Sequence, residues 1–231
     1  MICVIENKNF SLRDVKQTSY ISSWDPKEVA DFHETIGNKK TPLVKLPGLA
    51  KRLGIGSLIL KDESHRFGLN AFKVLGASYA MSRQIENNPQ IKTFCTATDG
   101  NHGRAVAWMA RKLGRKALIY MPKGTVPDRV RAIEQEGADV FVIDQAYDIA
   151  VNMASIRVDE ANKKPGNHFW SLIQDTAWDG YEEVPLDIMK GYWTQIHEIT
   201  RQIGKEKIDV LFLQTGVGSW AASIIGYIMK E

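Results

Sequence analysis

The sequence predicts an α/β fold in which helices flank open, mainly parallel β-sheets. Three observations carry that expectation. Short β-branched or aromatic runs alternate with stretches of helical period. The joints between them are brief and marked by Gly or Pro. No internal repeat or low-complexity stretch interrupts the alternation.

Residues 57–61 (SLILK) read as a strand, and residues 71–87 as a helix with Val74, Leu75, Ala77, Ser78, Met81 and Ile85 near one side. Three strand–helix units follow. Residues 93–98 lead into a helix over 101–113, and 116–121 into a helix over 126–136 that Gly137 ends. Residues 139–143 lead into a long helix over 147–162. A further strand lies near 168–173. After a loop through Asp179, one helix is expected over 185–203, with Pro185 in its first turn. A last strand over 209–214 and a last helix over 219–231 complete the order. Residues 210–229 carry no charge over a length that could span a bilayer. Gln214, Thr215, Gly216, Gly218 and Ser219 interrupt that run, so a buried strand, a turn and a helix explain it better. Nothing follows the last unit to pack against it, so part of the large domain's sheet is expected from further chain or from another subunit.

Bulk composition narrows the function. The 231 residues allow one large domain or two small ones, and the 44% hydrophobic and 25% charged fractions are those of a soluble globular protein. Thirty basic against 27 acidic residues leave a net charge of +3, too balanced to imply nucleic acid or membrane as a partner. Cys3 and Cys95 show no CxxC spacing, which argues against a metal cluster or a disulfide framework and for a reducing cytosol. The start, MICVIENKNF, shows no secretory pattern.

Four features sit at strand-to-helix junctions, where α/β enzymes place their chemistry. Lys73, after Asn70, Ala71 and Phe72, opens a helix, where the dipole disfavours a cation. That placement is expected to lower its pKa and suits an amine that attacks carbonyls, although most lysines are merely solvated. Next, Asp99-Gly100-Asn101-His102-Gly103 opens the following helix. Its glycines are expected to let a flat ligand approach the backbone, and Asn101 offers both donor and acceptor. An ordinary cap needs only one such residue. Third, Gly216-Val217-Gly218-Ser219 reads as an anion cradle. Gly216, Gly218 and Ala221 also fit the dinucleotide pattern G-x-G-x-x-A, but the sequence ends before the acidic residue expected about 20 positions later could occur, so a dinucleotide site is unsupported. Fourth, Asp179-Gly180 is a common turn without chemistry of its own. His33, His65, His168 and His197 show no ligand spacing, His65 and Arg66 read as solvated charge, and Trp108, Trp170, Trp178, Trp193 and Trp220 as packing residues.

Together these features resemble the fold-type II pyridoxal-phosphate family, which includes threonine deaminase and serine racemase. Thr41-Pro42-Leu43 with Leu46-Pro47-Gly48-Leu49-Ala50 looks like its opening segment, and Phe72-Lys73 with Gly76-Ala77 like its Schiff-base lysine motif. Gly100-Asn101-His102-Gly103 looks like its asparagine loop, and Gly216-Val217-Gly218 occupies the place of its phosphate loop. ATDGNHGRAVAW, AWDGYEEVP and QTGVGSWA are similar to stretches of its diaminopropionate ammonia-lyase branch.

The resemblance implies pyridoxal 5′-phosphate as cofactor, 2,3-diaminopropionate as substrate, and a cytoplasmic homodimer. It implies that Lys73 bears the cofactor, that Phe72 packs on its ring, that Asn101 bonds its 3′-oxygen, and that Gly216, Val217, Gly218 and Ser219 grip its phosphate. Lys73 would take the Cα proton on one face and Asp99 on the other. Asp179 would meet the second ammonium of the substrate or assist ammonia departure. By analogy, residues 76–175 form a small domain and residues 1–75 and 176–231 an incomplete large one. Other expectations stay open: a threonine- or serine-dehydratase type of lyase, a non-catalytic fragment, or a nicotinamide oxidoreductase resting on Gly216, Gly218 and Ala221 alone.

Overall fold

The computed structural model describes residue 21 and residues 23–164 and 169–230, so Cys3, His168 and Glu231 lie outside the described residues. Helix α1 (Pro26–Thr35) begins at Asp25, whose carboxylate accepts the Lys27 amide N–H at 2.8 Å. Strands β1 (Leu43–Lys45) and β2 (Ile59–Lys61) pair antiparallel around α2 (Pro47–Leu53). A 3-10 turn, Arg66–Gly68, then leads to α3 (Lys73–Asn87).

The four-stranded sheet is wholly parallel, in the order β5 (Asp139–Val142), β4 (Lys116–Met121), β3 (Thr93–Ala97), β6 (Trp170–Leu172). Its crossovers are α4 (Asn101–Lys112), α5 (Pro127–Glu134) and α6 (Tyr147–Lys163). Every residue of β3 is buried, as a central parallel strand covered on both faces requires. Alternation sorts the side chains. Phe94, Ile119 and Met121 join Ala105, Val106 and Met109 of α4, while Cys95, Ala97 and Leu118 pack on Ala150, Ala154 and Val158 of α6. A parallel sheet flanked by helices is therefore present as expected. The other sheet, among the described residues, is only the antiparallel β1–β2 ribbon.

Two expected elements differ. The helix over 185–203 is two helices, α7 (Glu183–Gly191) and α8 (Trp193–Ile203), joined at the fully buried Tyr192. The cause is a close crossing with α3. A Cβ on Gly191 would come within 2.5 Å of the Leu75 carbonyl oxygen, and one on Gly76 within 2.6 Å of the Tyr192 ring. Residues 209–214, expected as a strand, form none among the described residues. No described strand lies beside them to take up their hydrogen bonds, and Val210 and Phe212 are 67% and 85% exposed. Helix α9 (Ser219–Lys230) follows, and no described helix is long and apolar enough to cross a membrane.

A buried polar knot joins these pieces. Arg66 is completely buried rather than solvated. Its guanidinium donates to Glu63 at 2.8 Å through Nε and Nη2, to Glu198 at 2.7 and 2.9 Å, to Asn38 at 2.7 Å and to Thr41 at 3.0 Å. Lys61 donates to Glu198, Gln202 and the Thr41 carbonyl at 2.7, 2.7 and 2.8 Å. Two cations thus meet two carboxylates with their hydrogen bonds filled, the condition under which buried charge is tolerated. Nearby, His33 donates from Nε2 to the Leu75 carbonyl at 2.9 Å, which leaves Nδ1 of the neutral ring to accept the Thr194 hydroxyl at 2.6 Å. Burial pushes this imidazole from 6.5 down to about 3.

The tight crossing predicts that Gly76→Ala lowers the melting temperature, at a cost of about 1–3 kcal/mol, whereas Gly56→Ala, with open space around it, leaves it unchanged. Acid sensitivity has a definite sign. Burial favours the protonated form of Glu198, but Arg66 and Lys61 outweigh it and bring the carboxyl from 4.5 to about 2. His33 and Glu198 both bind protons more weakly folded than unfolded, so stability is full above pH 6.5. It then falls through the window from 6.5 to about 3 for His33, and from 4.5 to about 2 for Glu198. Urea midpoints across pH should trace this fall, and His33→Gln should flatten its upper part.

Candidate active site

The segment that delivers Lys73 is held at several points. Arg66 anchors its start, Phe67 and Asn70 adopt left-handed φ values of 51° and 58°, and Arg104 donates to the Leu69 carbonyl at 3.2 Å. Lys73 then opens α3 with its ammonium 2.5 Å from Asp175 Oδ2; the lysine side chain is 22% exposed and that of Asp175 5%. Asp175 stands just past the carboxyl end of β6.

The electrostatics reverse one expectation. Burial does work against the Lys73 ammonium, yet the facing Tyr192 hydroxyl and the Asp175 carboxylate outweigh it, and the amine lies above its usual range. Burial likewise favours protonated Asp175, but His102 and Lys73 beside it hold the carboxyl below its usual range. A lowered lysine pKa, expected from the helix dipole, is therefore overturned by a direct ion pair.

Asp175 has further neighbours. Gln174 is fully buried, and its Oε1 accepts the Ala97 amide N–H at 3.0 Å, so its Nε2 must be the donor to the Tyr147 oxygen at 2.9 Å. His102 donates from Nε2 to the Ile173 carbonyl at 2.7 Å, and its Nδ1 lies 4.0 Å from Asp175 Oδ2.

The anion cradle stands open. Nothing lies within 4 Å of a Cβ built on Gly216 or Gly218, and Gly218 has φ 98°. Val217 is exposed, while Ser219 Oγ is buried without a hydrogen-bond partner among the described residues, at the start of the 12-residue helix α9. Phe72 stacks obliquely on Trp220 with ring centroids 5.0 Å apart, and meets Tyr192 edge-on at 5.5 Å. Since Phe72 adjoins Lys73 and Trp220 adjoins Ser219, this contact ties the segment that carries the amine to the start of α9.

The remaining residues fall outside that cluster. Asp99 has its side chain 77% exposed, 4.0 Å from Arg129 Nη1, and Asn101 is exposed at the start of α4. Gly103 does not face a ligand: a Cβ there would meet the Thr98 methyl at 2.3 Å, so it serves packing. A Cβ built on Gly100 would lie 3.1 Å from the Arg129 side chain. Asp179 is exposed at the tip of a turn closed between Trp178 and Tyr181. The carboxylate that pairs with Lys73 is Asp175, four residues upstream, which sequence reasoning missed; its only signal was an acid directly after a strand. No group of three or more described His, Cys, Asp or Glu residues could hold a metal ion.

Comparison with known proteins is consistent with this geometry. The sequence model described as "Pyridoxal-phosphate dependent enzyme" matches residues 35–231. The chain is 43% identical over 229 residues to diaminopropionate ammonia-lyase of Salmonella typhimurium, covering 88% of this chain and 55% of that protein. A crystal structure of Escherichia coli diaminopropionate ammonia lyase in complex with an aminoacrylate-PLP azomethine reaction intermediate superposes with a TM-score of 0.80 at 40% identity, over 89% of this chain and 55% of that one. The same enzyme in complex with D-serine gives 0.84 at 38% identity, over 92% and 58%. The chain thus spans little more than half the length of these relatives.

The ion pair predicts the behaviour of the free amine. In Asp175→Asn, one of the groups that oppose burial of the Lys73 ammonium is lost and its pKa falls. Acylation of Lys73 at fixed pH in cofactor-free protein, followed by mass spectrometry, should rise about tenfold for each pH unit of that fall.

Proposed function

The chain belongs to the pyridoxal-phosphate dependent enzyme family, and we propose that the protein eliminates ammonia from 2,3-diaminopropionate to give pyruvate and ammonia. The likeness to diaminopropionate ammonia-lyases, at 39–43% identity, supports this substrate over those of the threonine dehydratases, which are 27–30% identical. The single observation that carries the reading is a part-buried amine on Asp175, in a segment joined through Phe72 and Trp220 to a turn whose serine hydroxyl has no partner among the described residues.

The residues present fit the cofactor. Ser219 Oγ, the backbone of Gly216, Val217 and Gly218, and the free N–H groups of the first turn of α9 would hold its phosphate. Lys73 would engage its carbonyl, Phe72 would pack on the ring, and Asn101 would bond the 3′-oxygen. When bound, the ring withdraws electrons from the substrate α-carbon and makes its proton acidic. Lys73, freed of its own proton, removes that proton on one face, and Asp99 removes it from the opposite enantiomer on the other. Asp175 orients the Lys73 amine, and Asp179, on its turn, meets the second ammonium of the substrate.

Residues 76–175 act as a small domain, and residues 1–75 and 176–231 contribute to a large one. The protein works in the cytoplasm as a homodimer, a setting that its balanced charge and buried, unpaired Cys95 suit.

Titration with pyridoxal phosphate, followed by a pyruvate assay on both diaminopropionate enantiomers, tests the proposal. Binding should produce a new near-visible absorbance that Lys73→Ala abolishes, together with pyruvate formation; absence of both from wild-type protein overturns it. Asp99→Asn should cost one enantiomer about 10²–10⁴-fold in rate while sparing the other. Equal losses would remove Asp99 from its role.

A further inference from the structure

Both uses of Lys73 need a bare amine with a free lone pair, yet the structure holds it as an ammonium on Asp175. A proton must leave first. Asp175 Oδ2, 2.5 Å from the ammonium, is the first acceptor in reach. Beyond Asp175 stands His102. Its Nε2–H is committed to the Ile173 carbonyl, an oxygen that can only accept, so the neutral ring presents its lone pair at Nδ1. That nitrogen is buried, has no hydrogen-bond partner among the described residues, and lies 4.0 Å from the same Asp175 oxygen that grips Lys73. A buried polar atom left unpaired is costly and calls for an explanation.

We propose that His102 is a positioning residue that receives the Lys73 proton through Asp175 and so releases the amine for its chemistry. One proton moves from Lys73 Nζ to Asp175 Oδ2 and from there to His102 Nδ1. No bond to carbon changes and no electron is transferred. A lysine–carboxylate pair becomes an imidazolium–carboxylate pair, so the buried net charge stays constant, and Nδ1 acquires the partner it lacks. The charged groups that bear on the ring are Asp175 and Lys73: burial and the Lys73 ammonium now keep it neutral, while Asp175 pulls the other way. Loss of the lysine charge leaves burial alone against that pull.

This inference rests on the use of Lys73 proposed above, but its test needs neither cofactor nor substrate. In cofactor-free protein, Lys73→Met should raise the His102 ring pKa, followed by NMR titration of the ring nitrogens, with Nδ1 gaining the proton. A titration unmoved by Lys73→Met overturns the proposal. In His102→Gln the amide can still donate to Ile173 but cannot take up a proton. The pH at which Lys73 is acylated should then rise by about one pH unit, a tenfold loss of reactivity at fixed pH. A folded His102→Gln protein with an unchanged Lys73 profile overturns it equally, and if that variant fails to fold, the Lys73→Met titration decides. A failed pyruvate assay would sink the lyase reading and leave these two measurements standing.

Discussion

A carboxylate past the end of β6 and an ammonium at the start of α3, 102 residues apart in sequence, grip each other at 2.5 Å. Each is costly to bury alone, so each fixes the other, and with them the two segments that carry them. The rest of the site follows from this constraint. The parallel sheet sets where Asp175 ends up, and the Arg66 knot with the left-handed residues Phe67 and Asn70 sets where Lys73 begins.

The molecule holds two kinds of buried ion pair, and their differences say which is structural. Arg66 has no exposed surface and its donors are filled by Glu63, Glu198, Asn38 and Thr41, so it has nothing left to offer a ligand. Lys73 keeps partial exposure and a carboxylate partner that it can exchange for another bond. Saturation marks the first as a fastener. Incompleteness leaves the second free for the use proposed for it.

Local signals made much of the fold legible. The bounds of β4 agree with the expected 116–121, and α4 and α6 begin where expected, because alternation, amphipathic period and turn residues all point one way there. The break at Tyr192 was hidden because it depends on another helix: Gly76 on α3 and Gly191 at the end of α7 admit a crossing too close for side chains. The run 209–214 has strand-like residues, but a strand exists only with a neighbour to bond to, and periodicity does not supply one. Position misled at the site as well. The helix-dipole argument for a lowered lysine pKa concerns an effect of about 0.3–1 kcal/mol, which a carboxylate at 2.5 Å overrides; that carboxylate could not be placed before β6 was.

The glycines show why motif and mechanism are separate readings. Gly76 and Gly103 belong to the lysine and asparagine motifs, yet both are fixed by packing, against Tyr192 and Ile188 in one case and Thr98 and Ile119 in the other. Gly216 and Gly218 meet nothing within 4 Å. A side chain on either of the first two would collide with protein, whereas one on the second pair would meet no described atom. On the proposed function the cradle before α9 would be the ligand surface, while the asparagine loop carries His102 turned inward to Asp175 and leaves Asn101 exposed.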